Sequence, residues 1–176
     1  MGWPSVVAFF GIGFWIIMAA LNLKAASVIV IFASLLALLL PMLASARTIR
    51  ATGAMERDRW FLIWPLAALA GWLTVAAPLN LITVATAFEA LPAALSPTGW
   101  AVLAVIATTL IGIGVTWALR TMAYSLPIAW GLVGAFVAEQ EVKPVLAFTA
   151  LAAAFVVVVA GVIVTFGLRR GIERRR

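Results

Sequence analysis

The stretch from residues 60 to 88 constrains the fold most, because it has no charged residue and is long enough to cross a bilayer. About 20 consecutive apolar residues suffice for a membrane-spanning helix. Pro65 and Pro78 each remove one backbone N–H donor, and Thr74 and Asn80 place polar groups at membrane depth. Polar groups in lipid are costly unless a neighbouring helix satisfies them. The stretch is therefore expected inside a helix bundle. Its polar side chains either hydrogen-bond to other helices, which general membrane-helix packing favours, or line a ligand pocket.

The composition of the whole chain indicates several such spans. The 176 residues are 66% hydrophobic and 10% charged, whereas ordinary soluble domains are roughly half apolar and about a quarter charged. The apolar runs are continuous, unlike the alternating segments of about ten residues in a membrane β-barrel. We therefore predict an all-α, polytopic transmembrane helix bundle that forms one membrane-embedded domain over residues 1–176. Its six predicted helices cover residues 5–23, 25–46, 60–88, 99–119, 121–138 and 144–168.

Basic residues are distributed unevenly over the two sides of this arrangement. With an even number of spans, both termini lie on one side, together with the polar segment 47–59, Arg120 and the basic C-terminal tail. Of the 12 Lys and Arg residues, all but Lys24 and Lys143 fall on that side. Cytoplasmic loops carry the excess of Lys and Arg, so both termini are predicted to be cytoplasmic, in a multi-pass protein of the bacterial inner (cytoplasmic) membrane. Segment 47–59 is expected to be a solvated loop, and because topology already explains the basic tail, no nucleic-acid partner is expected.

The residues needed for most enzyme and metal chemistry are missing from this sequence. It has no cysteine and no histidine, which excludes disulfides and thiolate metal sites and removes the common ligands of zinc and haem. Ionisable residues inside a span mark proton or ion pathways, but Glu89, Arg120, Glu139 and Glu141 all lie at predicted helix ends. There is also no nucleophile with a histidine base and no glycine-rich phosphate loop. We therefore predict a protein that is not an enzyme, has no metal site and holds no covalently bound cofactor.

Tryptophan is abundant, with eight residues in the chain. Trp3, Trp60 and Trp100 lie near predicted helix ends, where interfacial aromatic belts collect them. Five others lie deeper in the predicted spans: Trp15, Trp64, Trp72, Trp117 and Trp130. Together with glycine and proline, deep tryptophans build either an apolar, π-rich slot for a flat or polyene ligand or ordinary lipid contacts and core packing, which composition alone slightly favours.

Two segments of the chain resemble a known family of membrane proteins. The run P-x5-G-W-L-T-V-A-x-x-L-N, from Pro65 to Asn80, is similar to the central motif of the tryptophan-rich sensory protein branch of the translocator protein (TspO/MBR) family. The later run A-Y-S-L-P-I-A-W-G-L-V-G, which contains Tyr124 and Trp130, resembles the following helix of that branch. The opening G-W-P-S is similar to an interior segment of its longer members. The first of these runs is the specific part of the resemblance.

Members of that family are helical membrane proteins that bind tetrapyrroles and other hydrophobic ligands within the bundle. They are linked to tetrapyrrole handling, stress signalling and, in some bacteria, regulation of pigment synthesis. The resemblance implies Trp72, Asn80, Tyr124 and Trp130 as ligand-binding or packing positions. The leading hypothesis is a non-enzymatic sensory or regulatory protein that binds a porphyrin or a carotenoid in a Trp-lined pocket between the third and fifth helices. Because His and Cys are absent, a metal-free tetrapyrrole is favoured over haem.

Two further functions stay open on the sequence alone. Small size, short loops and many small residues also suit a structural accessory subunit of a larger photosynthetic or respiratory membrane complex. A small transporter for a hydrophobic solute is the third hypothesis, ranked last because no charge within a span suggests coupling. The expected partners are the lipid bilayer, a hydrophobic small molecule, and either a second copy in a homodimer or a larger membrane complex.

Overall fold

Seven α-helices make up most of the computed structural model, which describes residues 2–53 and 55–167. Six of them are long and apolar enough to cross a membrane, so the predicted all-α bundle of six spans is confirmed. The helices are α1 (Gly2–Ala20), α2 (Lys24–Ala44), α3 (Ala46–Ala51), α4 (Trp64–Ala87), α5 (Pro97–Leu119), α6 (Met122–Glu139) and α7 (Pro144–Val162). A turn of wider, π-helical geometry precedes α4 and another follows α7, which gives continuous spans over Arg59–Ala87 and Pro144–Gly167.

The prediction of a solvated loop over residues 47–59 is wrong in part. The short helix α3 occupies the first residues of this segment, and the side chain of Arg59 is only 3% exposed. The Arg59 guanidinium donates a hydrogen bond to the backbone carbonyl of Thr52. Ala46, Ile49 and Arg59 are therefore buried against the rest of the protein, whereas residues 55–58 are exposed, as expected of a solvated loop. The charge of Arg59, which the sequence suggested was solvated, hydrogen-bonds to a backbone oxygen instead. The basic C-terminal tail, from residue 168 onward, lies outside the described residues.

The six spans run alternately in opposite directions, and α4 to α7 form the core of the bundle. α4 packs on α5 and α6, and α7 closes the group by packing on the same two helices. α2 packs on α4, and α1 packs mainly on α2. In α1 only Ala8 is buried, so this first helix lies at the edge of the bundle.

This alternation gives the bundle two chemically distinct ends. The end called here the turn end carries the α1–α2, α4–α5 and α6–α7 connections and includes Lys24 and Lys143. The opposite end, called here the basic end, carries α3 and the α5–α6 connection and includes Arg120. Within the described ranges, every arginine lies at the basic end and both lysines lie at the turn end.

Glycine sets the closest approaches between helices. A Cβ on Gly71 of α4 would overlap the backbone carbonyl oxygen of Tyr124 in α6, and a Cβ on Gly11 of α1 would overlap the hydroxyl of Ser34 in α2. Small residues at such positions let two helix backbones approach closely. Gly71, the first residue of the G-W-L-T run, therefore fixes the α4–α6 contact beside which the candidate site lies.

Candidate functional site

A groove runs between α4, α5 and α6 in the half of the bundle nearer the turn end, and it has a volume of about 310 Å³. One residue of α7 completes its wall. The lining residues are Trp72, Val75, Pro78, Leu79, Ile82, Ala101, Ala104, Val105, Thr108, Trp130, Gly131, Leu132, Gly134, Ala135, Ala138, Glu139 and Leu146. Nearly all of these side chains are apolar, so the groove suits a hydrophobic molecule.

Small side chains create the groove, and two exposed tryptophans line it. A Cβ on Gly131 would lie 3.0 Å from the Val75 side chain, whereas a Cβ on Gly134 would meet nothing within 4 Å. α6 and α4 therefore touch at Gly131 and leave open space one turn later. The side chains of Trp72 and Trp130 are 47% and 74% exposed, so indole surface is accessible beside a mostly apolar wall.

A charged pair marks the turn end of the groove. Among the lining residues that the structure describes, Glu139 is the only charged one, and its carboxylate lies 3.1 Å from the Lys143 ammonium. Glu139 follows Trp130 in α6 by a separation of roughly 14 Å along the helix axis. The groove is therefore an apolar slot with an ion pair at one end.

Tyr124 lies in the core of the bundle, away from the groove lining. Its side chain is fully buried, and its hydroxyl is 2.7 Å from the hydroxyl of Thr74. The Thr74 hydroxyl also donates to the Ala70 carbonyl at 2.8 Å, and the Thr74 carbonyl accepts a hydrogen bond from Thr108 at 3.5 Å. Thr74 thus links α4 to both α5 and α6, which confirms for this residue the expectation of hydrogen bonds between helices.

Asn80 faces a different cavity. Its side-chain amide donates to the Ser27 hydroxyl at 3.2 Å, and it lines a cavity of about 190 Å³ between α1, α2 and α4. The Asn80 amide therefore joins α4 to α2. Of the four residues that the sequence singles out, Trp72 and Trp130 come together at the groove, and Asn80 and Tyr124 lie elsewhere.

A comparison with protein families identifies the group to which these features belong. The family model described as TSPO-like protein matches residues 1–163. This chain belongs to the TSPO-like protein family. The match runs from α1 through α7 and includes both runs that resemble the tryptophan-rich sensory protein branch, so the resemblance is confirmed and the chain is a multi-pass membrane protein. Comparisons with curated proteins and with solved structures found no match.

The positions of the tryptophans in the sequence do not predict the α5 wall of the groove in this TSPO-like protein, because no tryptophan of α5 lines it. Ala101, Ala104, Val105 and Thr108 recur at the spacing i, i+3, i+4 and i+7, which places them on one face of a helix. The α6 lining repeats this spacing from Gly131 to Ala138. Small residues at this spacing on two successive helices are the signal that could have located the groove.

The groove of this TSPO-like protein is suited to binding. Within the described ranges, no group of three or more His, Cys, Asp or Glu side chains is placed to hold a metal ion. The hydroxyl of Thr108 in the lining is directed to the Thr74 carbonyl. Affinity for a ligand would come from burial of apolar surface, at roughly 25 cal/mol per Å², and from contact with indole rings.

Proposed function

We propose that this TSPO-like protein is a non-enzymatic sensory or regulatory protein that binds a porphyrin or a carotenoid-like molecule in the groove between α4, α5 and α6. It spans a bacterial inner membrane with both termini in the cytoplasm. The observation that carries the proposal is the exposure of Trp72 and Trp130 in the lining of one mostly apolar groove. Membership of the TSPO-like family supports it.

The size and surface of the groove favour a flat ligand that is only partly enclosed. Pockets for drug-sized ligands range from about 300 to 1,000 Å³, and a groove of about 310 Å³ is at the lower end. Indole rings make offset-stacked or edge-to-face contacts with other π-systems, worth about 0.5–1.5 kcal/mol beyond area burial. A conjugated ring or chain gains such contacts from two tryptophans, and its remaining surface stays in contact with lipid.

Removal of each groove tryptophan tests this proposal. We expect Trp72→Ala and Trp130→Ala each to weaken binding of protoporphyrin IX or of a carotenoid by about tenfold, which corresponds to about 1.4 kcal/mol. The protein is reconstituted in lipid nanodiscs, and the visible absorption of the ligand is followed, so that the lost indole fluorescence does not affect the readout. The ratio of the two affinities then separates porphyrin from carotenoid.

Trp117→Ala is the matched control. Trp117 is 60% exposed on α5 but does not line the groove, so its removal changes only the outer surface of the bundle. Equal weakening in all three variants would indicate non-specific uptake at the protein–lipid boundary and contradict the proposal. Unchanged affinity in both groove variants would contradict it as well.

A second function, as a structural accessory subunit of a larger membrane complex, is favoured by the position of α1. Phe9, Phe10 and Phe14 are exposed on this helix, and only Ala8 is buried, so most of its surface is open to lipid or to another protein. Native gels of gently solubilised membranes distinguish the two functions. Stoichiometric co-migration with a large complex supports the accessory subunit, and a small coloured band supports the groove proposal.

A further inference from the structure

The cavity at which Asn80 lies has more polar residues in its lining than the groove has, five of eight. It opens at the turn end of the bundle, where α1, α2 and α4 meet, and its volume is about 190 Å³. The lining residues are Ala19, Asn22, Lys24, Ser27, Asn80, Thr83, Val84 and Ala87. A lysine, two asparagines, a serine and a threonine thus contribute to one small cavity, and no carboxylate residue belongs to this described lining.

Lys24 supplies the charge at this cavity. Within the described ranges its ammonium has no carboxylate within 4.0 Å, and it lies 5.7 Å from the centre of the Phe88 ring. Glu89 is the next residue after Phe88 but makes no salt bridge with Lys24. Lys143, the other lysine at the turn end, is paired with Glu139 at 3.1 Å. Lys24 therefore carries a positive charge that no neighbouring carboxylate neutralises.

The hydrogen-bond donors around Lys24 are positioned by the fold. The Asn80 amide is held by its bond to the Ser27 hydroxyl, at 3.2 Å, and that hydroxyl donates to the backbone carbonyl of Lys24 at 2.7 Å. Among the described residues the Asn80 amide makes this one side-chain hydrogen bond and the Thr83 hydroxyl makes none, so both lining residues keep a donor for a ligand. α2 begins at Lys24 with no side-chain cap, so the N-terminal end of its helix dipole adds positive potential beside these donors.

We propose that this cavity binds an anionic phosphate group. The Lys24 ammonium supplies the opposite charge, and the Asn80 and Thr83 donors form charge-assisted hydrogen bonds, which are shorter and stronger than neutral ones. The cavity is smaller than the range of about 300–1,000 Å³ that is usual for drug-sized ligands, so it suits one small polar group. That phosphate belongs either to a lipid headgroup in the leaflet at the turn end or to free inorganic phosphate. The site is separate from the groove and does not depend on the proposed function.

The two lysines of the chain provide a test with an internal control. The wild-type protein is reconstituted in nanodiscs of digalactosyldiacylglycerol, a neutral lipid without phosphate, or of phosphatidylglycerol, and the acetylation rates of Lys24 and Lys143 by a water-soluble amine-reactive ester are measured by mass spectrometry. A general effect of anionic lipid on the reagent changes both rates equally. We expect phosphatidylglycerol to slow acetylation of Lys24 about tenfold relative to Lys143. This slowing requires about ten occupied sites for each free one, a ratio that corresponds to about 1.4 kcal/mol.

Inorganic phosphate distinguishes the two sources of the ligand. Protection of Lys24 by phosphate added to digalactosyldiacylglycerol nanodiscs assigns the site to the free anion. Protection by phosphatidylglycerol without protection by phosphate assigns it to the lipid headgroup. If neither changes the ratio of the two acetylation rates, the proposal is overturned.

A pair of threonine variants tests whether the cavity matters beyond the lysine. Thr83 lines the cavity, whereas Thr86 does not and donates its hydroxyl to the Ile82 carbonyl of its own helix at 2.7 Å. We expect Thr83→Val to reduce the protection of Lys24 several-fold and Thr86→Val to leave it unchanged. Equal protection in both variants would mean that Lys24 attracts phosphate by charge alone, which would overturn the cavity as the site.

Discussion

The substitution Gly71→Ala tests whether the close approach of α4 and α6 holds the bundle together. A Cβ at residue 71 would overlap the carbonyl oxygen of Tyr124 and lie 3.1 Å from its carbonyl carbon. Because these are backbone atoms of α6, they cannot rotate away as the end of a flexible side chain can. The two helices must therefore separate, and the hydrogen bond between the Tyr124 and Thr74 hydroxyls, 2.7 Å long, is stretched.

The size of the effect follows from three contributions. Overpacking of a well-packed interface costs about 1–3 kcal/mol, and loss of a hydrogen bond costs about 1 kcal/mol. Replacing glycine by alanine inside a helix gains about 1 kcal/mol in helix propensity. We therefore expect Gly71→Ala to lower the free energy of unfolding by about 1–3 kcal/mol.

Reversible unfolding in mixed detergent micelles, followed by far-ultraviolet circular dichroism, measures this change. Gly114→Ala in α5 is the control, because a Cβ there would meet nothing within 4 Å. The control is expected to keep or slightly increase stability through helix propensity. If the Gly71 variant were as stable as the Gly114 variant, the explanation of the α4–α6 contact would be refuted.

Three further substitutions probe individual contacts, with the same unfolding assay as readout. Tyr124→Phe removes the hydroxyl that meets Thr74, and we expect a loss of about 0.5–1.5 kcal/mol; no loss would mean that this hydrogen bond contributes nothing. Glu89 has a φ of 52°, so Glu89→Gly is expected to gain up to about 1 kcal/mol by relieving left-handed strain. Glu89→Ala keeps the strain, and an equal gain there would argue against this cause. The Ser96 hydroxyl accepts a hydrogen bond from the Gly99 N–H at the start of α5, 3.1 Å long, and Ser96→Ala is expected to cost about 1 kcal/mol, whereas Ser96→Asp should retain most of the stability.

The number and order of the spans could be predicted from sequence because each needs only a continuous apolar run bounded by polar residues. The rotation of each span about its own axis could not. α4 is apolar on nearly every side, so it lacks the amphipathic stripe that fixes the orientation of a helix. Gly71 and Trp72 are adjacent in the motif, yet one packs against α6 and the other lies exposed at the groove.

The same limit explains why the four predicted site residues do not share one pocket. Asn80 lies eight positions after Trp72 in α4, which is roughly 80° further around the helix, and the neighbouring helices assign these faces to different cavities. Tyr124 and Trp130 are separated in the same way on α6: one is buried in the core and the other is exposed. A motif identifies which residues occur together in the chain, whereas packing decides which of them meet in space.

The most direct test of ligand binding between α4, α5 and α6 is to fill the groove with a larger side chain at one of its lining residues. A Cβ on Gly134 meets nothing within 4 Å, so Gly134→Leu introduces a large side chain into the groove without a backbone clash. Gly114→Leu is the matched control, since Gly114 is equally open but does not line the groove. Neither leucine should destabilise the protein, because leucine has a higher helix propensity than glycine, by somewhat less than the roughly 1 kcal/mol that separates glycine from alanine.

The measurement is the affinity of each variant for protoporphyrin IX and for a carotenoid in nanodiscs, read from ligand absorption. We expect Gly134→Leu to weaken binding by at least about tenfold, equivalent to about 1.4 kcal/mol, and Gly114→Leu to bind as the wild type does. A Gly134→Leu variant that is folded and binds with wild-type affinity would show that the ligand lies elsewhere.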